Sequence, residues 1–422
     1  MRILVVSNFY PPFFIGGYEV ACRDVVEQLR SRGHDVTVLT STYGLGHSLS
    51  ESGILRVLRI SVDPVRHSAA RFIRAARREY HHRRLTARTL KKRHFDLVYV
   101  WNLAGLSLNV VLLAQSCGIP VCYYVFDGWL SQWDHNPWYR FWLDGSQPFL
   151  SRAPRRLAYP VAKGLGIVPQ GSLNLRNVQF ASAYLKEKAV QAGKPVTDAE
   201  VLPWGIDTRV FGFKEKAARP SRLLFVGRFC PEKGLPTLIE AMRLLVWEHR
   251  VHRLKLTILG GNHLDPDYGQ AMRRLVGASG LESSVEFMDF LPREQLPGVY
   301  REHDILIFPS TWDEPFGITI LEAMSSGLAV VGTATGGSAE IMISEVNSLV
   351  FPRDNPACCA RQIVRLLNDP ELYEKLRRAG RRTVEERFQL EQAVERIEKS
   401  LFVIVERSRP RHVASSVTNV VL

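Results

Sequence analysis

The sequence predicts an α/β protein with parallel sheets in two lobes. Apolar runs that end at glycine or proline alternate with amphipathic segments in both halves of the chain, and such strand–helix–strand units form parallel sheets with right-handed crossovers. A chain of 422 residues is also too long for one ordinary hydrophobic core. We expect a first lobe over residues 1–207, a linker over 208–220, a second lobe over 221–388, and a C-terminal helix and tail over 389–422.

The first lobe begins with a buried strand over residues 3–7, followed by the loop NFYPPFFIGGYE, a helix that ends at Gly33, and the strand DVTVLT. Open α/β sheets bind ligands beyond the carboxyl ends of their strands. Glycine there lets the backbone approach a ligand closely. Gly16 and Gly17 are therefore candidate binding residues, and a plain turn is the alternative explanation for both glycines.

Two cations follow the first strand of the second lobe, in the sequence RLLFVGRFCPEKG. Arg228 and Lys233 lie on either side of a loop at the carboxyl edge of the predicted second sheet. Such a pair suits a diphosphate, since arginine can bind two oxygens at once and lysine acts as a point charge. The alternative is a solvated loop with two exposed cations.

A further buried strand over residues 305–308 leads into the sequence STWDEPFGITILEAMSSG. Pro315 suits the first turn of a helix and Gly327 suits a helix stop, so we predict a helix over residues 316–326. Its first residues, Phe316, Gly317 and Ile318, would offer free N–H groups and a positive dipole end to an anion.

Two acids belong to this segment: Glu314 precedes the predicted helix and Glu322 lies within it. The eight residues of rise from one to the other correspond to roughly 12 Å. That is about the distance from a sugar ring across a diphosphate to a ribose. Taken alone, the two acids are explained equally well as a helix cap and a solvated helix residue.

The longer sequence EPFGITILEAMSSGLAVVGTATGGSAEI resembles the signature of the family four retaining glycosyltransferases. That family has the GT-B fold, in which two Rossmann-like parallel-sheet lobes have a cleft between them and the last helices commonly return to the first lobe. The resemblance implies that Glu314 contacts hydroxyls of the donor sugar and that Glu322 contacts the ribose.

Other positions match the family pattern in part. Gly227-Arg228 and Lys233-Gly234 match its diphosphate-binding residues, and Gly16 and Gly17 match a Gly-Gly pair that shapes the acceptor and phosphate site. The resemblance also implies that Phe290 and Leu291 contact the base.

Two positions depart from the family pattern. Phe126 stands where many relatives have a histidine, which leaves Asp127 as the polar candidate at that strand end. Trp204 replaces the usual asparagine of the turn at the lobe junction.

The resemblance implies transfer of a sugar, with retention of configuration, from a nucleotide-diphosphate sugar to a glycan, lipid-linked or small-molecule acceptor. Glu314, Arg228, Lys233 and Asp127 are the expected catalytic residues. No cofactor is implied, and the cations would serve where other enzymes use a metal. The six cysteines include no CxxC pair and no spacing typical of zinc ligands.

Two other functions stay open. A sugar-nucleotide epimerase of the same fold would convert the donor without an acceptor, and a non-catalytic nucleotide-sugar-binding protein would account for the departures at Phe126 and Trp204. A nicotinamide-dependent dehydrogenase would need GxGxxG after the first strand, which the sequence does not contain.

The net charge of +13 is concentrated over residues 66–94, where Glu79 is the only acid. A solvated basic helix is the first explanation. An anionic membrane surface is the second, with Phe72, Ile73, Tyr80 and Leu85 as an apolar side. We expect no nucleic-acid partner, since no such motif accompanies the charge.

No apolar stretch approaches the ~20 residues that a membrane span requires. The first ten residues contain too short an apolar core for a signal peptide. We therefore expect a cytoplasmic protein, peripheral on the membrane if the basic segment binds lipid.

Overall fold

The computed structural model describes residues 1–61, 69–143, 149–215, 219–261 and 265–409. The chain divides into two compact units. The first unit comprises Met1–Tyr124, Gln132–Val178 and the chain from Arg396 onward, and the second comprises Val125–Ser131 and Gln179–Glu395. Each unit contains a sheet of parallel strands.

Strands and helices alternate along most of the first half of the chain. They are β1 (Arg2–Ser7), α1 (Gly17–Ser31), β2 (Asp35–Ser41), β3 (Leu49–Glu51), β4 (Ile54–Leu58), α2 (Ala69–Lys92), β5 (Leu97–Asn102), α3 (Asn109–Ser116), β6 (Val121–Val125), α4 (Pro137–Leu143), α5 (Phe149–Gly164), β7 (Val178–Phe180), α6 (Ala183–Gln191) and β8 (Glu200–Val201).

The second half continues the alternation and ends in three helices. Its elements are β9 (Arg222–Val226), α7 (Leu235–Arg243), β10 (Lys255–Leu259), α8 (Pro266–Ala278), β11 (Val285–Met288), α9 (Leu296–Glu302), β12 (Ile305–Phe308), α10 (Ile318–Ser326), β13 (Ala329–Gly332), β14 (Leu349–Val350), α11 (Pro356–Asn368), α12 (Pro370–Arg387) and α13 (Leu390–Ser408).

The sheet of the first unit has the strand order β3-β4-β2-β1-β5-β6. Its pairs are parallel except for the edge pair β3 and β4. The central strands read as continuous apolar runs because they are buried on both faces. Strand β1 lies between β2 and β5, so the strand order reverses there and the loop after β1 lies at the switch point.

The sheet of the second unit has the order β11-β10-β9-β12-β13-β14 with every pair parallel. From the centre of the sheet, β9, β10 and β11 follow one another towards one edge, and β12, β13 and β14 follow one another towards the other edge. The carboxyl ends of β9 and β12 therefore flank the switch point, where open α/β sheets bind ligands. The loops that carry Arg228, Lys233 and Glu314 follow these two strands.

The unit boundary differs from the predicted lobe boundary at residue 207. Residues 179–207 group with the second unit because they are held there: Ser182 Oγ donates to Pro315 O at 2.7 Å, and the Glu340 carboxylate accepts the N–H groups of Ala183 and Tyr184 at 3.0 and 2.9 Å. Hydrogen bonds of this kind leave no sign in the local sequence pattern.

The predicted linker, residues 208–220, is packed over its first part. Ser325 Oγ donates to Phe211 O at 2.6 Å, and Lys214 forms an ion pair with Asp304. Residues 216–218 lie outside the described residues.

Helix α13 begins one residue after the predicted start, and the chain from Arg396 groups with the first unit. Within that unit, the Glu398 carboxylate accepts from the Arg32 guanidinium at 3.0 Å and lies 2.6 Å from the His34 ring. The predicted tail over residues 410–422 lies outside the described residues. Across the described ranges, no helix combines the length and apolar character that crossing a membrane demands.

Candidate functional site

The first cation of the site, Arg228, lies on the loop between β9 and α7. Gly227 N–H donates to Leu259 O and Phe229 N–H donates to Gly261 O, both at 3.0 Å, so the loop leaves the sheet alongside β10. Arg228 lies between these two bonds and is half-buried. Within the described part of the chain, its guanidinium has no hydrogen bond and no ion pair. An anionic ligand can therefore approach it without displacing a carboxylate.

The second cation, Lys233, forms an ion pair with Glu314. Lys233 Nζ lies 2.6 Å from Glu314 Oε1, and Ser310 Oγ donates to the same carboxylate oxygen. The two side chains are 18% and 6% exposed, respectively. Lys233 Nζ also lies 5.7 Å from the centre of the Trp312 ring. A buried carboxylate needs such partners, since an uncompensated charge at this depth is costly.

Gly234 allows the loop after β9 and the loop after β12 to come this close. Gly234 has φ +69°, and a Cβ on it would lie 1.9 Å from Pro309 O at the end of β12. The same approach lets Thr311 N–H donate to Glu232 O at 2.9 Å. Because only glycine fits here, the Lys-Gly pair of the sequence is explained by the approach that brings Lys233 to Glu314.

A third loop, after β13, reaches the same place. Gly337 N–H donates to Glu314 O at 2.6 Å. A Cβ on Gly336 would lie 2.5 Å from Glu314 O, and one on Gly337 would lie 2.1 Å from Pro315 O. The loops after β9, β12 and β13 therefore converge on the backbone and side chain of Glu314.

The helix that follows Glu314 starts later than predicted. Helix α10 begins at Ile318 instead of Phe316, and Pro315 precedes the helix instead of occupying its first turn. Gly317 has φ +142°, which is not helical, while Phe316 is buried. The helix ends at Gly327 as predicted, in the left-handed region at φ +84°.

Glu322 lies in α10 and is almost fully buried. Tyr300 OH donates to Glu322 Oε2 at 2.8 Å, and the Arg293 guanidinium lies 4.0 Å from Oε1. Burial, together with the neighbouring carboxylate, raises the pKa of Tyr300 well above its usual value. The phenol therefore stays a donor at neutral pH, and the solvated-residue explanation of Glu322 is wrong.

Sequence reasoning missed three of these residues. Ser310 follows a predicted strand directly, so its position at the carboxyl end of β12 could have indicated it. Tyr300 and Arg293 carry no local signal, because their relation to Glu322 arises only when α9 packs beside α10.

Asp127 is the second residue after β6. Its Oδ1 accepts from Trp129 N–H at 3.0 Å, a bond within its own turn. The neighbouring Phe126 packs edge-on against Phe316 and Trp204, with ring centres 5.4 and 6.3 Å away. Phe126 thus makes an apolar contact at this strand end. A catalytic role for Asp127 stays a prediction.

Phe290 and Leu291 follow β11, at the same carboxyl edge of the second sheet but at its far side. Phe290 is exposed and Leu291 is partly buried. Their contact with a base stays a prediction.

Gly16 and Gly17 belong to the first unit, at the start of α1. The buried Glu19 carboxylate accepts the N–H groups of Ile15 and Gly16, both at 3.1 Å. Glu19 therefore shapes the loop after β1 through its hydrogen bonds to the backbone. A ligand contact for the two glycines stays a prediction.

The structure thus brings Lys233, Glu314 and the start of α10 together in the second unit, with Arg228 on the same loop as Lys233. Among the residues that it describes, no three or more His, Cys, Asp or Glu side chains are arranged to hold a metal ion.

Solved structures define the class of this fold. Sucrose-phosphate synthase from Thermosynechococcus elongatus superposes with a TM-score of 0.73 at 20% identity, over 97% of this chain and 100% of that chain. Anabaena HepE in complex with UDP-glucose superposes with a TM-score of 0.67 at 19% identity, over 96% of this chain and 100% of that chain. The fold is that of the GT-B glycosyltransferases.

Two family models match successive parts of the chain. Glycosyltransferase Family 4 matches residues 15–210 and Glycosyl transferases group 1 matches residues 208–383. This chain therefore belongs to the family 4, group 1 glycosyltransferases. The uncharacterized glycosyltransferase MJ1607 of Methanocaldococcus jannaschii is 26% identical over 405 residues, which are 92% of this chain and 94% of that protein.

Proposed function

We propose that this glycosyltransferase moves a sugar, with retention of configuration, from a nucleotide-diphosphate sugar to a glycan, lipid-linked or small-molecule acceptor, without a metal ion. One observation carries the proposal: the Lys233–Glu314 pair lies at the switch point of the second sheet, on loops that converge there. A cation for the diphosphate is thereby held beside a carboxylate for the sugar.

The departing nucleoside diphosphate gains negative charge as the glycosidic bond breaks. Arg228, Lys233 and the N-terminus of α10 at Gly317 and Ile318 supply positive charge and N–H groups for it. Groups held in position before the reaction stabilise such charge most effectively. In this proposal they perform the role that a metal ion has in other transferases.

The carboxylates orient the donor. Glu314 would accept hydrogen bonds from sugar hydroxyls through the oxygen that Lys233 and Ser310 leave available, and Glu322 would accept from the ribose hydroxyls. Tyr300 holds one Glu322 oxygen at 2.8 Å, which limits the orientations of that carboxylate. Binding energy gained at the ribose then helps to position the reacting carbon.

Retention would follow from attack of the acceptor hydroxyl on the face from which the diphosphate leaves. The departing phosphate oxygen takes the acceptor proton, so no enzyme nucleophile is needed. Asp127 is the polar group proposed near the reacting centre, since Phe126 replaces the imidazole of relatives. The UDP-glucose complex of HepE supports a nucleotide-sugar donor and makes UDP the first nucleotide to test.

The proposal is tested by thermal unfolding with UDP, GDP and ADP, each with and without EDTA. A ligand that binds the folded state raises the melting temperature by mass action. We expect one nucleotide to raise it in the presence of EDTA, and the matching nucleotide sugar to give a product whose anomeric configuration, read by NMR, equals that of the donor. A product of inverted anomeric configuration would refute retention, and a rise in melting temperature that EDTA abolishes would refute metal independence.

A non-catalytic nucleotide-sugar-binding protein is the second candidate, favoured by the packing of Phe126 against Phe316 where relatives have histidine. It would show the nucleotide shift but no transfer with any acceptor. A sugar-nucleotide epimerase would instead interconvert two donors in the absence of acceptor.

A further inference from the structure

The outer face of α5 carries large apolar side chains in contact with solvent. Leu157 and Val161 are 81% and 66% exposed, and Leu165, one residue beyond the helix end, is 44% exposed. Their spacing of four residues places them on one side of the helix. Single exposed apolar residues are ordinary, but three in a row along one helix face form a patch that calls for a partner.

The inner face of the same helix is built from small residues. Ala158 and Ala162 pack into an apolar cluster with Trp138 and Trp142 of α4 and Ala75 of α2. The helix thus places Ala158 and Ala162 in the core and Leu157 and Val161 outside. This arrangement is the reverse of that of an ordinary surface helix.

The charges beside the patch are positive. Arg156 and Lys163 of α5 are exposed, and the sequence of α5 contains no acid. On α2 the exposed residues include Arg77 and Arg84, while the only acid of that helix, Glu79, is buried. The solvent-facing sides of both helices therefore carry positive charge.

The two helices are neighbours within the first unit. Both contribute to the apolar cluster around Trp138. Gly166, two residues beyond the end of α5, lies so close to α2 that a Cβ on it would be 2.4 Å from Arg83 Nε. The chain at Leu165, the last residue of the apolar patch, thus lies next to a basic residue of α2.

We propose that the exposed residues of α2 together with residues 156–165 at the end of α5, called here the α2/α5 face, dock on an anionic lipid bilayer. The patch Leu157, Val161 and Leu165 enters the boundary between headgroups and acyl chains, and the arginines neutralise lipid phosphates. The strength of interfacial membrane binding rises with the buried apolar area and with electrostatic attraction to anionic lipids. This proposal does not rest on the donor site, which lies in the second unit.

The assignment differs from the sequence expectation for residues 66–94. There, Phe72, Ile73, Tyr80 and Leu85 were expected to form the apolar side of the basic helix. Phe72 instead packs inward, 5.5 Å from the Trp138 ring, and Leu85 is partly buried. Ile73 and Tyr80 are exposed, as expected. Residues 66–68 lie outside the described residues. Helix α2 therefore supplies the charge and two exposed apolar side chains, and α5 supplies the more exposed apolar patch.

The test is co-flotation of the full chain with vesicles of phosphatidylcholine alone or with 30 mol% phosphatidylglycerol, a composition on the order of that of anionic membranes. We expect binding to the anionic vesicles that weakens with added salt and little binding to the neutral ones. The variant Leu157→Ser/Val161→Ser should lose at least tenfold in vesicle affinity. A matched control, Val210→Ser/Val346→Ser, exchanges two half-exposed valines of the second unit and should bind as the wild type does.

A second variant tests the charge. Arg77→Glu/Arg84→Glu should abolish the preference for anionic vesicles, since each cation near an anionic surface contributes about fivefold in affinity. Absence of wild-type binding to anionic vesicles would overturn the proposal. It would also be overturned by equal binding of the Leu157→Ser/Val161→Ser variant and the wild type, or by a dimer, seen by light scattering, that buries this patch and disappears in that variant.

Discussion

Replacing Lys233 with methionine tests the core of the proposed site. The substitution keeps the length of the side chain but removes the cation that lies 2.6 Å from Glu314 Oε1. Glu314 then retains Ser310 as a donor and loses its charged partner. The consequences for folding and for transfer can be separated, because the structure contains a second lysine in a similar environment.

The size of the stability loss follows from burial. Removing one partner of a buried ion pair costs about 3–5 kcal/mol. Since Lys233 is 18% exposed and Ser310 still donates to Glu314, we expect the lower end, about 3 kcal/mol. In a unit of this size each kcal/mol lowers Tm by roughly 2–4 °C, so the transition should fall by roughly 6–12 °C. Transfer should fall by about 10²–10³-fold, as when one charge-stabilising donor is removed.

The matched control is Lys214→Met. Lys214 Nζ lies 3.0 Å from Asp304 Oδ1 in the same unit, and Asp304 is as buried as Glu314. Asp304 also accepts the N–H groups of Ser221 and Arg222 at 2.9 and 3.0 Å. The stability loss of Lys214→Met should therefore equal or fall below that of Lys233→Met. Its rate of transfer should match the wild type at temperatures where both remain folded.

The assay is transfer at saturating donor, with Tm measured on the same samples by scanning fluorimetry. If Lys233→Met lowers the rate no more than Lys214→Met does, the lysine serves only folding and the diphosphate role is wrong. If Tm is unchanged in Lys233→Met, the ion pair contributes nothing and the burial argument fails.

The remaining predictions concern three other positions. Glu322→Gln should weaken nucleotide binding, measured by titration calorimetry, by roughly tenfold or more, which is the value of a hydrogen bond to a charged group. Tyr300→Phe should weaken nucleotide binding less, and unchanged affinity in Glu322→Gln would exclude a ribose contact. Burial raises the pKa of the Glu79 carboxyl to about 7 and lowers the pKa of the His82 ring to about 3. Stability is therefore lost through Glu79 as the pH rises from about 4.5 to 7, and through His82 as the pH falls from about 6.5 to 3. The two slopes cancel between about pH 4.5 and 6.5, and Glu79→Gln should therefore make Tm rise with pH in that window; a Tm profile parallel to that of the wild type would contradict this. Gly234→Ala should lower both Tm and the rate of transfer, because its Cβ would lie 1.9 Å from a carbonyl oxygen. A Tm within 1 °C of the wild type, which corresponds to a stability loss below about 0.5 kcal/mol, would show that the close approach of the loops is not required.

Much of the site could be predicted from the sequence because its residues follow strands. Arg228 and Lys233 follow β9, and Glu314 follows β12, so the rule that ligands bind at carboxyl ends already placed them at one edge of a sheet. The start of α10 was predicted two residues early, at Phe316. Proline and glycine signals describe local preference, whereas the carbonyls of Pro315 and Glu314 accept hydrogen bonds from the distant Ser182 and Gly337.

The α/β class, the alternation of strands and helices, and the glycosyltransferase signature can be predicted from the sequence alone, because they depend on residues close together in the chain. Only the packed structure shows that Lys233 meets Glu314 across 81 residues, that Tyr300 holds Glu322, and that Leu157 lies on the outer side of α5. Periodicity shows that a helix has an apolar side but not whether another element covers it. Burial and pairing between distant residues exist only once the elements are packed.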